Sequence, residues 1–443
     1  MSGIEIGATM FAILLALLVL RVHIGITMFI VGAGGYLTMM GGEFSPFLNM
    51  LKNLAYARLS NYDLAVIPMF LLMGQFATHG GLSRALFRCV SSLVGHWRGG
   101  VAIASTGACA GFGAICGSSL ATAATMGQVA LPELKRYNYS GALATGALAA
   151  GGTLGILIPP SVPLVIYAVL TQESIGKLFM AAVLPGLIAM LGYMLVIRII
   201  VTLKPEAGPA GPRVPLAEKL RSIASVAPVA LIFLVVIVGI YGGWANPTEA
   251  ASIGAAACGI LAVVSGGMRG EGIRESVLGA AEATAMIFLV LLGADMLNTG
   301  LALTQMPVEL ANWVRDSGLS PLLVLTAILL IYVFLGCVMD ALAMILLTIP
   351  IFYPMVMGLE FWGLTPDEKS IWFGILVLMV VEIGLVHPPV GMNIYIINKA
   401  AKDVPLTDTF RGVMPFLASD LARITLLLFF PAISLYLVRT FGG

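Results

Sequence analysis

Ten stretches of this chain stay apolar for long enough to read as membrane spans: near 5–20, 24–41, 64–78, 140–170, 178–200, 224–243, 249–267, 277–300, 371–397 and 414–438. A helical span needs roughly 20 such residues, and in hydrocarbon its backbone N–H and C=O groups must be satisfied within the segment. The chain therefore reads as an all-α polytopic membrane protein. Charge agrees, because only 10% of the 443 residues are charged and 59% are hydrophobic, against about 25% charged in a soluble domain.

The first apolar run follows MSGIEIG, which carries a glutamate and no basic residue, so it reads as a retained helix and not as a cleaved signal peptide. Cys89, Cys109, Cys116, Cys258 and Cys337 are odd in number and show no CxxC pair, so neither a disulfide framework nor a zinc site is suggested. A net charge of +1 offers nothing to nucleic acid.

Orientation follows from Lys and Arg, which accumulate on cytoplasmic loops. One threading places Arg21, Arg84, Arg88, Arg98, Lys135, Arg136, Arg198, Lys204, Arg213, Lys219, Arg221, Arg269, Arg274, Lys399, Lys402 and Arg411 on one side. Lys52, Arg58, Lys177, Arg315, Lys369 and Arg439 fall opposite. The richer side is cytoplasmic, so both termini are expected in the periplasm, and the protein in a bacterial inner membrane.

Arg98 and the pair Lys135 and Arg136 then share a side, so residues 100–132 enter and leave from the cytoplasm. Two half-helices of about 14 residues rise about 21 Å each, which reaches mid-bilayer without crossing about 30 Å. The segment reads as a re-entrant hairpin with its tip near Gly117, Ser118 and Ser119. The alternative is one long helix in which Gly107/Gly111 and Gly113/Gly117 form small-residue packing faces.

The rest of the chain favours the hairpin. After a Pro- and Gly-rich charged stretch at 204–222, MFLLMGQFATHGG (69–81) is echoed by MIFLVLLGADMLNTG (286–300), and GILIPPSVPLVIY (155–167) by GLVHPPVGMNIY (384–395). Ser118 and Pro132 stand 14 apart, as do Asp340 and Pro354. The expected organisation is a repeat at 1–203 (hairpin 100–132, broken helix 140–170), a cytoplasmic connector at 204–222, and a repeat of inverted topology at 223–443 (hairpin 319–356, broken helix 371–397). Inverted repeats with interrupted spans point to a secondary transporter's binding site.

Pro159-Pro160 and Pro388-Pro389 each remove two N–H donors inside a span and free upstream carbonyls, which protein, water or an ion must satisfy. Freed carbonyls suit a small hard cation, and half-helix N-termini suit an anion.

At these residues the chain resembles a known family. GSSLATAATMG, then GTLGILIPPSVPLVIY, then GLVHPPVGMN, look like the large membrane subunit of the tripartite ATP-independent periplasmic (TRAP) transporters, over nearly the whole chain. The resemblance implies an elevator-type importer of organic-acid anions, coupled to sodium ions and needing no other cofactor. It implies two partners, a small four-helix membrane subunit, expected as a separate chain, and a periplasmic substrate-binding protein. Carried over residue by residue, a first cation site takes Gly117, Ser118, Ser119 and Thr122 with the break at Gly155, Pro159 and Pro160. A second takes Gly336 and Asp340 with Gly384, His387, Pro388, Pro389 and Gly391. Where the family often has threonine before the second proline pair, this chain has His387, whose open roles are donation to substrate, proton exchange, or a hydrogen bond to a freed carbonyl.

Asp295 and Asn393 are candidates for the substrate path. Intramembrane charge is costly, so Asp420 and Arg423, three apart on one helix, are expected to satisfy each other, and Glu382 reads as structural. An intramembrane hydrolase using Ser118 or Ser119 with His387 lacks a GxSxG elbow and an acidic residue to orient the histidine. A channel lacks a charged ring. A stand-alone ion-coupled anion transporter is the nearer rival.

Overall fold

The structure, a computed structural model, describes residues 2–337 and 339–442. Its helices run α1 (Gly3–Val19), α2 (Ile24–Met39), α3 (Phe44–Leu59), α4 (Val66–His79), α5 (Leu82–Val94), α6 (Gly100–Cys116), α7 (Ser119–Arg136), α8 (Gly141–Leu157), α9 (Val162–Thr171) and α10 (Ile175–Leu203). They continue as α11 (Leu216–Tyr241), α12 (Pro247–Val264), α13 (Gly270–Thr304), α14 (Met306–Asp316), α15 (Pro321–Gly336), α16 (Ala341–Met357), α17 (Pro366–Val386), α18 (Met392–Ala400), α19 (Leu406–Phe429) and α20 (Ala432–Phe441).

Local chemistry starts the helices where they start. Ser2 with Glu5, Asn246 with Glu249, and Thr365 with Glu368 close reciprocal capping boxes ahead of α1, α12 and α17, satisfying N–H groups that a helix cannot satisfy itself. Burial then sorts them. On α11, Leu231, Leu234, Val235 and Val238 are exposed, an apolar surface suited to lipid or to another apolar helix. By contrast α17 is buried from Lys369 to Val386, and α8 from Leu143 to Leu157. These two helices form the centre and pack on one another.

Around that centre the packing comes in matched pairs. Helix α2 lies on α13 and α4 on α12; α6 lies on α8 and α15 on α17; α7 meets α18 and α16 meets α9; α19 lies on α8 and α10 on α17. Helices α6 and α7 fold back on each other, as do α15 and α16. Helices α8 and α17 each stop at a Pro-Pro pair and resume as α9 and α18.

Seven helices among the described residues are long and apolar enough to span a membrane, counting α8 with α9 as one, and eight if α4 and α5, bent by 67°, are taken together. Apolar runs and helix lengths differ at the start of the chain: α1 and α2 have 17 and 16 residues, about 24–26 Å of rise. Arg21 and Gly41, both at positive φ, turn the chain just beyond their ends. Helix α3 leaves no apolar run in the sequence because Lys52, Asn53 and Arg58 interrupt it, yet it exposes Phe44, Leu48, Tyr56 and Leu59.

Candidate functional site

The tip of the first hairpin is built by one glycine and one cap. Gly117 ends α6 at φ +63, a left-handed conformation that glycine adopts without a Cβ clash, and the chain reverses into α7. Ser118 is the N-cap of α7: its Oγ accepts from Ala121 N at 3.4 Å, and its carbonyl accepts from Thr122 N at 3.0 Å and Thr122 Oγ1 at 2.7 Å.

This tip sits on the first break. A Cβ on Gly117 would lie 3.3 Å from Pro160 O and 3.5 Å from Val162 N, and one on Gly155 would lie 2.8 Å from Thr122 Oγ1 and 3.1 Å from Ser118 O. Gly117, Ser118, Thr122, Gly155 and Pro160 are therefore brought together, with Pro159 and Ser119 buried beside them. The break frees oxygen as expected: positions 159 and 160 are prolines, so Gly155 O and Ile156 O receive no i to i−4 N–H.

Ser161, the residue after the prolines, was not among the expected site residues. It is fully buried between the two backbone atoms that face Gly117, caps nothing in α9, and its Oγ has no hydrogen-bond partner among the described residues. Asn393, on α18, reaches the same neighbourhood from the other half of the chain. Its Nδ2 donates to Ala149 O at 3.3 Å and lies 3.2 Å from where a Gly152 Cβ would be, while its Oδ1 is buried without a partner among the described residues. One oxygen without a partner among the described residues thus lies in the first break, at Ser161, and another packs on α8 about a turn before it, at Asn393, each in surroundings where an unpaired polar atom costs about 1–3 kcal/mol.

The second break is poorer in oxygen and more open. Gly336 and Gly384 touch, since a Cβ on Gly336 would lie 2.9 Å from the Gly384 Cα. The Gly384 carbonyl, however, accepts from His387 N at 3.3 Å. Aligning the proline pairs places Val390 where the first break has Ser161, and aligning the caps places Met344 where the first hairpin has Thr122. Asp340 spends its carboxylate as the cap of α16, accepting from Ala343 N at 2.7 Å. His387 turns its Nδ1 onto Pro388 O and stands 3.6 Å from Cys337 Sγ at the hairpin tip. Pro389 is exposed, and Gly391 opens α18 at φ +64.

Behind both breaks runs a buried polar chain. Thr153 on α8 meets the Tyr193 hydroxyl on α10 at 3.3 Å, and that hydroxyl donates to Asp420 on α19 at 2.9 Å. Arg423 joins Asp420 at 2.8 Å and Glu382 on α17 at 3.2 Å. Asp420 and Arg423 pair as their spacing suggests, and Glu382 is the third member. Thr153 and Glu382 each stand two residues before the glycine that meets a hairpin, so the chain ties the broken helices together.

Other charges fall differently from the loop count. Arg58 on α3 forms a two-pronged ion pair with Asp295 on α13, so the carboxylate expected on the substrate path is already engaged. Lys369 is buried and donates to Met357 O at 2.9 Å and Leu359 O at 2.6 Å, closing the end of α16.

A cavity of about 1070 Å³ opens between α7, α8, α18 and the start of α19, and its wall reaches Ala124, two residues from Thr122. At its edge Lys135 Nζ meets Asp403 Oδ1 at 2.5 Å. That hydrogen bond holds the exposed Asp403 carboxyl below its ordinary range.

The family profile of the tripartite ATP-independent periplasmic transporter DctM component matches residues 11–433. The C4-dicarboxylate TRAP transporter large permease protein DctM of Pseudomonas aeruginosa is 36% identical over 415 residues, covering 93% of this chain and 94% of that one. The sialic acid TRAP transporter large permease protein SiaM of Vibrio cholerae is 29% identical over 90% of this chain and 91% of its own length. Among solved structures, that of the Alcanivorax borkumensis YdaH transporter, described as having an unusual topology, superposes with a TM-score of 0.60 at 14% identity, covering 87% of this chain and 89% of that one. That likeness is one of fold.

Proposed function

Because the chain belongs to the DctM component family, the large permeases of tripartite ATP-independent periplasmic transporters, we propose that it imports an organic-acid anion across the bacterial inner membrane by sodium symport. In this reading a periplasmic binding protein delivers the anion, and a small four-helix membrane subunit completes the transporter. The anion belongs to the acids that relatives are named for, with C4-dicarboxylates the first to assay.

The observation that carries the sodium reading is the first break. Ser161 Oγ, buried and without a hydrogen-bond partner among the described residues, directly follows the proline pair that frees the Gly155 carbonyl, and its neighbours Pro160 and Val162 face the hairpin tip at Gly117. A hard cation takes oxygen ligands of this kind, and the unspent oxygens gain from one. The second break, with Val390 and Met344 in place of hydroxyls, is the weaker cation site. Asn393 and the cavity beside α7 mark the route of the anion, and the two halves traverse the membrane in opposite senses and move by an elevator motion.

Sodium that binds the folded protein raises its thermal stability by mass action. The purified transporter should melt higher in sodium than in equal potassium or choline, and Ser119→Leu should abolish the difference while leaving the potassium value within a few degrees. Equal melting of the wild type in all three salts contradicts the cation assignment.

A further inference from the structure

Helix α5 carries Arg84 and Arg88, four residues apart on one face, and α11 carries Arg221 opposite them. With Arg136 these line a cavity of about 770 Å³ roofed by the connector near Gly211 and Pro212. Two carboxylates share it, Glu133 and Glu218. Glu133 is taken by Arg136 at 3.6 Å, whereas Arg84, Arg88 and Arg221 form no ion pair among the described residues. The chamber therefore holds an excess of guanidinium charge on the basic side of the protein. Its floor is pinned by Ser92 Oγ and Ser222 Oγ at 2.8 Å, which join α5 to α11.

Ser225 lines this chamber and also a second cavity of about 300 Å³ between α4, α5, α11 and α12, walled by Phe76, Ala85, Pro228, Val229 and Leu261. A cationic chamber thus adjoins an apolar groove. Around Arg221, α11 exposes Leu216, Leu220 and Ile223, so the junction lies where an apolar helix face meets charge. Small soluble anions need only the chamber; a molecule with an anionic head and a hydrocarbon chain fills both.

We propose that this composite cleft binds an anionic phospholipid, its phosphate held by Arg84, Arg88 and Arg221 and one acyl chain lying in the groove between α4, α5, α11 and α12. Guanidinium groups suit phosphate because their fixed donors meet its oxygens in pairs, and basic clusters at the cytoplasmic ends of spans recruit anionic headgroups. The proposal stands apart from the sodium reading, since the three arginines that hold the phosphate lie on α5 and α11, away from the hairpin tips and the breaks.

The test is native mass spectrometry of the purified transporter equilibrated with phosphatidylglycerol, phosphatidylcholine, or phosphatidylglycerol with inorganic phosphate. The wild type should retain phosphatidylglycerol at least tenfold more than phosphatidylcholine. Combined Arg84→Gln, Arg88→Gln and Arg221→Gln should remove that preference. Ala85→Phe, which fills the groove and leaves every arginine in place, should lower phosphatidylglycerol retention as well. Equal retention of the two lipids, or full retention in Ala85→Phe, overturns the proposal. So does inorganic phosphate that binds to wild type and displaces no lipid, which would make the chamber a simple anion site.

Discussion

Gly113 on α6 and Gly155 on α8 meet so closely that a Cβ added to Gly113 would lie 2.5 Å from the Gly155 Cα. Gly336 on α15 and Gly384 on α17 repeat the contact at the other hairpin, where a Cβ on Gly336 would lie 2.9 Å from the Gly384 Cα. Each hairpin is thus seated backbone to backbone on the helix whose break it covers, and the seat leaves no room for a methyl group.

Gly113→Val should therefore force α6 off α8. Overpacking of this kind costs about 1–3 kcal/mol, and the loss should appear as a lower melting temperature together with lost sodium stabilisation. Gly107→Val, facing the flexible ends of Met194 and Val90 side chains, should cost less. Equal losses in the two variants would show that the hairpin is not seated on Gly155.

Ser161→Ala removes a hydroxyl that has no hydrogen-bond partner among the described residues. Stability without sodium should hold or rise, because an unpaired buried polar atom is deleted, while half-saturating sodium should rise about tenfold, equivalent to about 1.4 kcal/mol. Unchanged sodium affinity would remove Ser161 from the site.

Arg423 holds both Asp420 and Glu382 in the protein interior. Arg423→Leu leaves two buried carboxylates without their cation, a change that costs about 3–5 kcal/mol. Adding Asp420→Asn and Glu382→Gln should recover part of the loss in the triple variant. A single variant as stable as wild type would mean that the network does not bind α17 to α19.

The Lys135–Asp403 pair predicts a pH response at the rim of the large cavity. Asp403 titrates below its usual value because it accepts from Lys135, so the contact is complete at neutral pH and is lost as pH falls through the depressed value, below about pH 4. The protection of the segment between α18 and α19 against hydrogen exchange, taken relative to the intrinsic rate at each pH, should fall in that window. Asp403→Asn should show the faster exchange already at neutral pH, and no difference between variant and wild type at neutral pH would leave the pair without a structural role.

Much of this architecture was legible from residues that disturb otherwise apolar runs. Gly117, Ser118 and Thr122, and the two proline pairs, stand out because they break or burden a span, and the structure brings the first set together with Gly155 and Pro160. What escaped was tertiary. Ser161 reads locally as an N-cap after prolines, and its unspent hydroxyl emerges only when Gly117 closes over the break. Tyr193 finds Asp420 across 227 residues and Arg58 finds Asp295 across 237, distances over which no spacing rule operates. Helix α3 escaped because its charges interrupt every apolar window, and Lys369 counted as a loop charge although two carbonyls bury it.

Opposite traversal of the two halves is directly checkable. Cysteines placed near Lys135 should react with impermeant thiol reagent only from the cytoplasm, and those near Trp362 only from the periplasm. All five native cysteines are buried, so background labelling should be low. Labelling of both positions from one face contradicts inverted halves.

The central claim is sodium-driven import by a three-part machine, and reconstituted uptake tests it most directly. Drawing a dianion inward against 100 mV costs about 4.6 kcal/mol, at about 2.3 per charge. Two sodium ions cancel that charge and leave only their concentration gradients to drive uptake, about 1.4 kcal/mol per ion for a tenfold gradient, so accumulation beyond about a hundredfold calls for more than two ions and makes uptake electrogenic. In proteoliposomes, uptake of a C4-dicarboxylate or another organic acid should need this chain, the small membrane subunit, the binding protein and an inward sodium gradient together, and an inside-negative potential should accelerate it. Robust uptake by this chain alone, or uptake by the full set without sodium, would contradict the account.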